Sequence, residues 1–405
     1  MMAPLEIKSG VFWVGVLDWT LRDFHGYSTE KGSTYNAYVV KGSEKNVLFD
    51  TVKTTHYDEF VQRLREVIDP EKINYIVVSH AEMDHSGSLP MVVDLVKPEK
   101  IFLSKPCKEA LEEHFGEQVR QWPLQIVGTG DEVSLGGKTI SFLEARMLHW
   151  PDSMFSYIKE DRLLISNDGF GQHYSSSERF DDEADWGELM HQTTKYYANI
   201  LLPYSPIMIK KLDEIAAMNI EIDMIAPDHG VIWRKHVPEV VSAYRRWAEG
   251  MCQDKAVVAY DTMWHSTETM ARHVAEGLMS RGVSTEVMDL RVSHHSDVIT
   301  EMLEARGIAL GSPTLNTGYL PRMADLVCYV KGLRPIKKVG AAFGSYGWGC
   351  ESVKLLNQEL EAMKVKIVHP GVKIRYVPRE GELQPCFEMG IAIAGAIYEA
   401  NTKQK

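Results

Sequence analysis

Cysteine is scarce here. Five residues, Cys107, Cys252, Cys328, Cys350 and Cys386, are scattered over 405 positions without a Cys-x-x-Cys pair. That spacing excludes a four-cysteine metal site supplied by this chain and argues against a disulfide framework, so a reducing cytoplasm is the expected location. No apolar run approaches the roughly 18 residues of a membrane span. The first residues, Met1-Met2-Ala3-Pro4-Leu5-Glu6, lack the pattern of a signal peptide. An excess of basic residues is missing as well: the net charge is −12, which argues against a nucleic-acid partner.

Hydrophobic residues make up 44% of the chain and charged residues 25%, the balance of a globular protein. Its length exceeds one ordinary core and predicts two domains, 1–250 and 255–405. Strand-like runs occupy Val11–Val14, Tyr35–Val40 and Val47–Thr51, and apolar spacing near 3.6 predicts a helix over Tyr57–Ile68. The buried-strand pattern Ile73-Asn74-Tyr75-Ile76-Val77-Val78 leads into His80-Ala81-Glu82-Met83-Asp84-His85. If the chain stays extended past Val78, His80, Glu82 and Asp84 share one side. His85 then turns in at the bend, before a helix opened by a serine cap and Pro90. Two imidazoles and two carboxylates thus gather at a strand exit. Carboxylates are harder ligands than imidazoles and favour iron or manganese over zinc.

The spacing His-x-Glu-x-Asp-His resembles the metallo-β-lactamase superfamily signature, with Glu82 where that pattern has a second histidine. This is the form found in flavodiiron proteins. The resemblance implies an α/β fold whose first half is a metallo-β-lactamase-like αββα sandwich. Three more residues at strand exits, His149, Asp168 and His229, stand in the order the superfamily uses for its remaining ligands. Carried over, His80, Glu82 and His149 would bind one iron, Asp84, His85 and His229 the other, and Asp168 would bridge them. Asp152 and Asp228 are candidates to orient the imidazoles. His25, Tyr196 and Tyr197 match segments that line the diiron pocket in the family. His173, His236, His265, His294 and His295 receive no role.

After the linker Glu249–Asp254 the pattern changes. A strand, Lys255–Tyr260, is followed by Asp261-Thr262-Met263-Trp264-His265-Ser266-Thr267 and a helix over Glu268–Ser280. Hydroxyls and amides at a helix start suit a phosphate. Two further strand-loop units follow, with loops Ser312-Pro313-Thr314-Leu315-Asn316-Thr317-Gly318 and Gly344-Ser345-Tyr346-Gly347-Trp348-Gly349. All three loops fall at carboxyl ends of strands, where open α/β sheets bind ligands. They resemble the FMN loops of a flavodoxin-like doubly wound parallel sheet, with Trp264, Tyr346 and Trp348 as flanking aromatics. Cys350 departs from the serine-glycine pair common in relatives.

Taken whole, the resemblance implies reduction of O₂ to water, of NO to N₂O, or both, at two iron ions supplied through FMN. It further implies a head-to-tail homodimer or a dimer of dimers, and an external electron carrier, rubredoxin or reduced coenzyme F420. Two rivals are a zinc-dependent hydrolase of the metallo-β-lactamase superfamily and an electron-transfer flavoprotein with an inactive first domain.

Overall fold

Side-chain alternation decides how the first half packs. The computed structural model describes residues 5–403, so the outermost residues of the expected domains lie outside it. In the strand Tyr75–Val78, Ile76 and Val78 join a core with Phe60 and Leu64 of helix Tyr57–Val67 and Val92 and Val96 of helix Leu89–Val96. Val77 points the other way, into a second core with Phe49, Phe142 and Ile165. Full burial of each such side chain contributes about 1.5–3 kcal/mol.

The sheet that separates these cores runs Leu5–Lys8, Val11–Trp13, Tyr38–Lys41, Asn46–Phe49, Tyr75–Val78, Lys100–Leu103, Leu124–Ile126. A second sheet runs Glu132–Ser134, Thr139–Glu144, Met154–Ile158, Leu163–Ile165, Met224–Ala226. Its inward residues Ile140, Phe142, Met154 and Ile158 close the middle core. Leu143, Phe155, Leu164 and Ile225 bury its other face. This is the expected αββα sandwich, and it leaves strand exits at residues 78, 144, 165 and 226 to carry the polar cluster.

Two local expectations are corrected. Tyr35–Val40 is not one strand: Ser33–Tyr35 pairs with Val16–Asp18, while Tyr38–Lys41 joins the large sheet. Asn36 sits at the break. Its backbone N–H donates to Asp228 O at 2.7 Å, its amide donates to Pro227 O at 2.8 Å and Gly230 O at 3.0 Å, and its Oδ1 accepts from Trp13 Nε1. The chain also does not stay extended to Asp84. Met83–Ser86 is a single helical turn, closed by Ser86 N–H to Glu82 O and Gly87 N–H to Met83 O. Ser88 precedes the next helix without a side-chain cap, whereas Pro90 lies in its first turn as expected.

Compact packing groups Thr29–Tyr196 and Pro206–Arg245, with residues 5–25, in one unit. The other holds residues 246–403 together with Gly26–Ser28 and Tyr197–Ser205. Its parallel sheet has the order Ser284–Asp289, Gln253–Tyr260, Ala305–Gly311, Val339–Tyr346, Lys366–Ile367. That 2-1-3-4-5 arrangement is the flavodoxin-like order. Val339–Tyr346 runs three residues further than expected, because Phe343–Tyr346 pairs with Val372–Arg375. Gly344, Ser345 and Tyr346 are therefore strand, not loop.

Helices Ser266–Met279 and Gln384–Thr402 cover one face of this sheet through Met270, Val274, Met389 and Ile393. They touch backbone to backbone: a Cβ at Gly390 would lie 2.2 Å from Val274 O. Gly390→Ala should therefore force the helices apart and destabilise the fold by about 1–3 kcal/mol, read as a lowered denaturation midpoint of the flavodoxin-like unit. An unchanged midpoint would contradict this contact.

A candidate metal centre and an aromatic cleft

Seven buried or nearly buried side chains converge in the first unit. His80, Glu82, His149 and Asp168 offer ligand atoms all within 4.8 Å of one another, and Asp84, His85 and His229 form a second such group. The helical turn at Met83–Ser86 explains the split: it swings Asp84 and His85 away from His80 and Glu82. Asp168 faces both groups. Its Oδ2 lies 3.2 Å from His149 Nε2 and 3.6 Å from His80 Nε2, while Oδ1 lies 3.2 Å from His85 Nε2 and 3.4 Å from His229 Nε2.

These short approaches are not hydrogen bonds. Among the described residues, both oxygens of Asp84 and of Asp168 and both nitrogens of His85 are shielded from water without a hydrogen-bond partner. Leaving so many polar atoms unpaired is costly. Ligand atoms gathered this closely, with most of them unsatisfied by one another, are the arrangement of a cation site. A carboxylate-rich set with two histidines per ion fits iron.

The far sides of His80 and His229 are held by the fold. Asp152 accepts from His80 Nδ1 at 3.2 Å and from the Ala81 N–H at 2.6 Å. His229 Nδ1 donates to Thr34 O at 2.6 Å, which leaves Nε2 as the lone pair facing inward. Asp228 Oδ2 stands 3.7 Å from His85 Nδ1 and accepts from Asn167 Nδ2 at 2.8 Å. Burial disfavours a charged His80, yet the bonds to Asp152 and Glu82 outweigh it and raise the group to about 10. His149, opposed by burial in the same way, is raised to about 9 by Asp168 and Glu82. Burial likewise disfavours an ionised Asp168, but the surrounding imidazoles hold it well below the usual carboxylate range. Cations are what this cluster of acids demands. Cutting the Asp152 support by Asp152→Ala should weaken metal retention by about 10–100-fold, measured by competition with a chelator; unaltered retention would contradict the orienting role.

The pocket wall differs in part from expectation. His25 lies at the edge, its side chain 74% exposed and its Nε2 3.3 Å from Glu82 Oε1. Tyr196 is buried, its ring 5.1 Å from that of His173 and 6.1 Å from that of His229. Tyr197 is a correction. Its hydroxyl bonds Ser205 Oγ at 2.9 Å and its ring packs on Trp247, because successive residues of this helical stretch point to different sides. His173, given no role from sequence, is buried 4.9 Å from the His229 ring and bonded to Ser33 Oγ at 2.7 Å through Nδ1. Burial above all pushes it well below its ordinary value, which favours the neutral ring. It follows Gln172 in a loop with no spacing motif, and no sequence signal marked it.

In the second unit the carboxyl ends of the strands enclose a cleft of about 640 Å³, within the usual range for a small-molecule site. Met263, Trp264, Ser266, Pro313, Thr314, Leu315, Asn316, Thr317, Ser345, Tyr346, Gly347, Trp348 and Gly349 line it, as expected from the three loops. Thr262, His265, Thr267, Ser312 and Gly318, though expected there, are not in its lining. Thr267 is buried with its hydroxyl 3.0 Å from Ser345 Oγ, and Ser312 Oγ accepts from the Leu320 N–H. His265 instead faces Glu268 at 2.8 Å. Sequence reading missed Glu351, Tyr376 and Val377, which also line the cleft. Trp264 and Trp348 are 85% and 93% exposed, so two indoles stand free to flank a planar ring.

Fold and site together define a fusion of a metallo-β-lactamase-like metal domain to a flavodoxin-like domain. Residues 34–230 match the ODP family beta lactamase and residues 258–390 match Flavodoxin. The chain is 45% identical over 402 residues to the nitric oxide reductase of Moorella thermoacetica, covering 98% of this chain and 100% of that one. It superimposes with a TM-score of 0.95 on the rubredoxin oxygen:oxidoreductase of Desulfovibrio gigas, at 42% identity and 98% and 99% coverage. The flavodiiron protein of Giardia intestinalis gives the same score at 33% identity, with 100% and 98% coverage. This chain belongs to the flavodiiron proteins, a family of diiron/flavin oxidoreductases. Neither a zinc hydrolase nor a flavoprotein with an inactive first domain fits these relatives.

Proposed function

We propose that this chain reduces a diatomic substrate, O₂ to water or NO to N₂O, with electrons from an external carrier. The single observation that carries the reading is Asp168, whose two carboxylate oxygens face the two ligand groups separately. His80, Glu82 and His149 would hold one iron, Asp84, His85 and His229 the other, with Asp168 shared. Bound there, the iron pair would supply redox-active Lewis-acid positions for the diatomic, and FMN held in the aromatic cleft would supply the electrons.

The remaining roles belong to side chains. Asp152 and the Thr34 carbonyl fix the tautomers of His80 and His229. Tyr196 is a phenol held protonated, since burial and then the charge of Asp168 push it well above its ordinary value. Its retained proton is the one it would donate to a bound diatomic. Neutral His173 stands beside it, and His25 guards the edge next to Glu82. Tyr196 and His173, both buried, shield one side of the cluster from bulk water.

Oxygen and nitric oxide uptake by one anaerobically reduced sample tests the reading: consumption of at least one gas is expected, and consumption of neither would refute it. Rubredoxin is the proposed donor, with reduced coenzyme F420 as the competitor. Stopped-flow reoxidation of each in turn separates them. We further infer a head-to-tail dimer, alone or paired into a dimer of dimers, because the aromatic rim of the cleft is too exposed to be left uncovered. Full turnover by a purified monomer would contradict it. The five cysteines are unpaired, which suits the cytoplasm. Among the described residues no helix is long and apolar enough to cross a membrane.

A further inference from the structure

Glu351 opens the helix Glu351–Ala362 and is the one charged side chain among the described residues that line the aromatic cleft. Its Oε2 is shielded from water and has no hydrogen-bond partner among those residues. The carboxylate lies against Gly349: a Cβ there would fall 2.6 Å from Oε2 and 3.0 Å from Oε1. An unbranched backbone at 349 is therefore what admits it. A glutamate in a first helical turn usually serves the free N–H groups of that turn. Here the Ser352 N–H is directed to Thr314 Oγ1 at 3.3 Å instead.

We propose that Glu351 sets the reduction potential of the bound flavin, holding it low by keeping one negative charge inside the cleft. This rests on reading the cleft as the FMN site. Two-electron reduction of FMN takes up two electrons and one proton and leaves a net negative ring. A carboxylate with one oxygen shielded from water repels that charge more than a fully solvated one would, and charge beside the ring is a recognised lever on flavin electronics. No cationic side chain is among the lining residues themselves; Arg375, beside them, donates through Nε to the Gly347 carbonyl at 2.9 Å. Glu351 thus favours the oxidised over the reduced cofactor and makes the reduced one a stronger donor.

The test uses the flavin-loaded full chain, comparing native protein with Glu351→Gln and Glu351→Asp. FMN affinity in the oxidised state is read by fluorescence quenching and the midpoint potential by equilibration with redox dyes. Glu351→Gln is expected to bind oxidised FMN as tightly as native and reduced FMN about tenfold more tightly. That ratio corresponds to a midpoint about 30 mV more positive for a two-electron couple. Glu351→Asp, which keeps the charge, should stay close to native. An unmoved midpoint in Glu351→Gln overturns the proposal, and so does an equal shift in both variants, which would trace the effect to packing. A native chain that binds no FMN overturns the reading of the cleft as well; bound FMN with an unmoved potential overturns this inference alone.

Discussion

Asp168→Ala is expected to abolish reductase activity, by at least about a hundredfold, and to leave the chain unable to retain paired metal. Removing an outer-shell support of a ligand already costs about 10–100-fold in metal affinity or activity, and Asp168 stands in direct reach of four imidazoles. Its two oxygens, 3.2 Å from His149 and 3.2 Å from His85, are the only carboxylate atoms among the described residues that approach both groups. Without them, one group keeps His80, Glu82 and His149 and the other Asp84, His85 and His229, each short of a ligand and with nothing in common. Metal analysis after gel filtration should find the iron content at least halved, with the fold intact by circular dichroism. Full metal retention and native turnover in this variant would refute the shared role.

Removing the metal from the native chain is expected to destabilise the first unit strongly. The ligand groups are buried, and several of their polar atoms have no partner within the protein; an ion is what would satisfy them. A ligand present at a thousandfold excess over its dissociation constant stabilises by about 4 kcal/mol. For a unit of roughly 200–250 residues each kcal/mol shifts the melting temperature by about 2–4 °C. Chelation under reducing, anaerobic conditions should then lower the melting temperature of that unit by roughly 8–16 °C per ion stripped. Readdition of ferrous iron should restore it. The flavodoxin-like transition, which contains none of these ligands, should stay in place. Equal loss in both transitions would point to general damage by the chelator.

Much of this was legible in the sequence because the informative residues are local. Val77 and Val78 alternate as a two-faced strand must, and the ligands follow strand ends within a few positions. The convergence of His149, Asp168 and His229 on the first motif came from resemblance, since no spacing rule links positions so far apart. What stayed hidden depends on contacts distant in sequence. The turn at Met83–Ser86, which divides the ligands between two groups, is too short for periodicity to mark. Asn36 breaks a convincing strand only because it ties the loop around His229. Tyr196 and Tyr197 are adjacent, and only the packed helix decides that one faces His173 and the other Ser205. Tyr376 and Val377 reach the cleft because the short strand Val372–Arg375 extends the sheet beside Tyr346, a pairing that four residues do not announce.

The account depends on one chain holding paired iron and a flavin at once. Quantifying metal and flavin in protein purified anaerobically from iron-replete cells tests this most directly. About two iron and one FMN per chain are expected. Two zinc ions with no flavin, or flavin over an iron-free first unit in fully active protein, would contradict it.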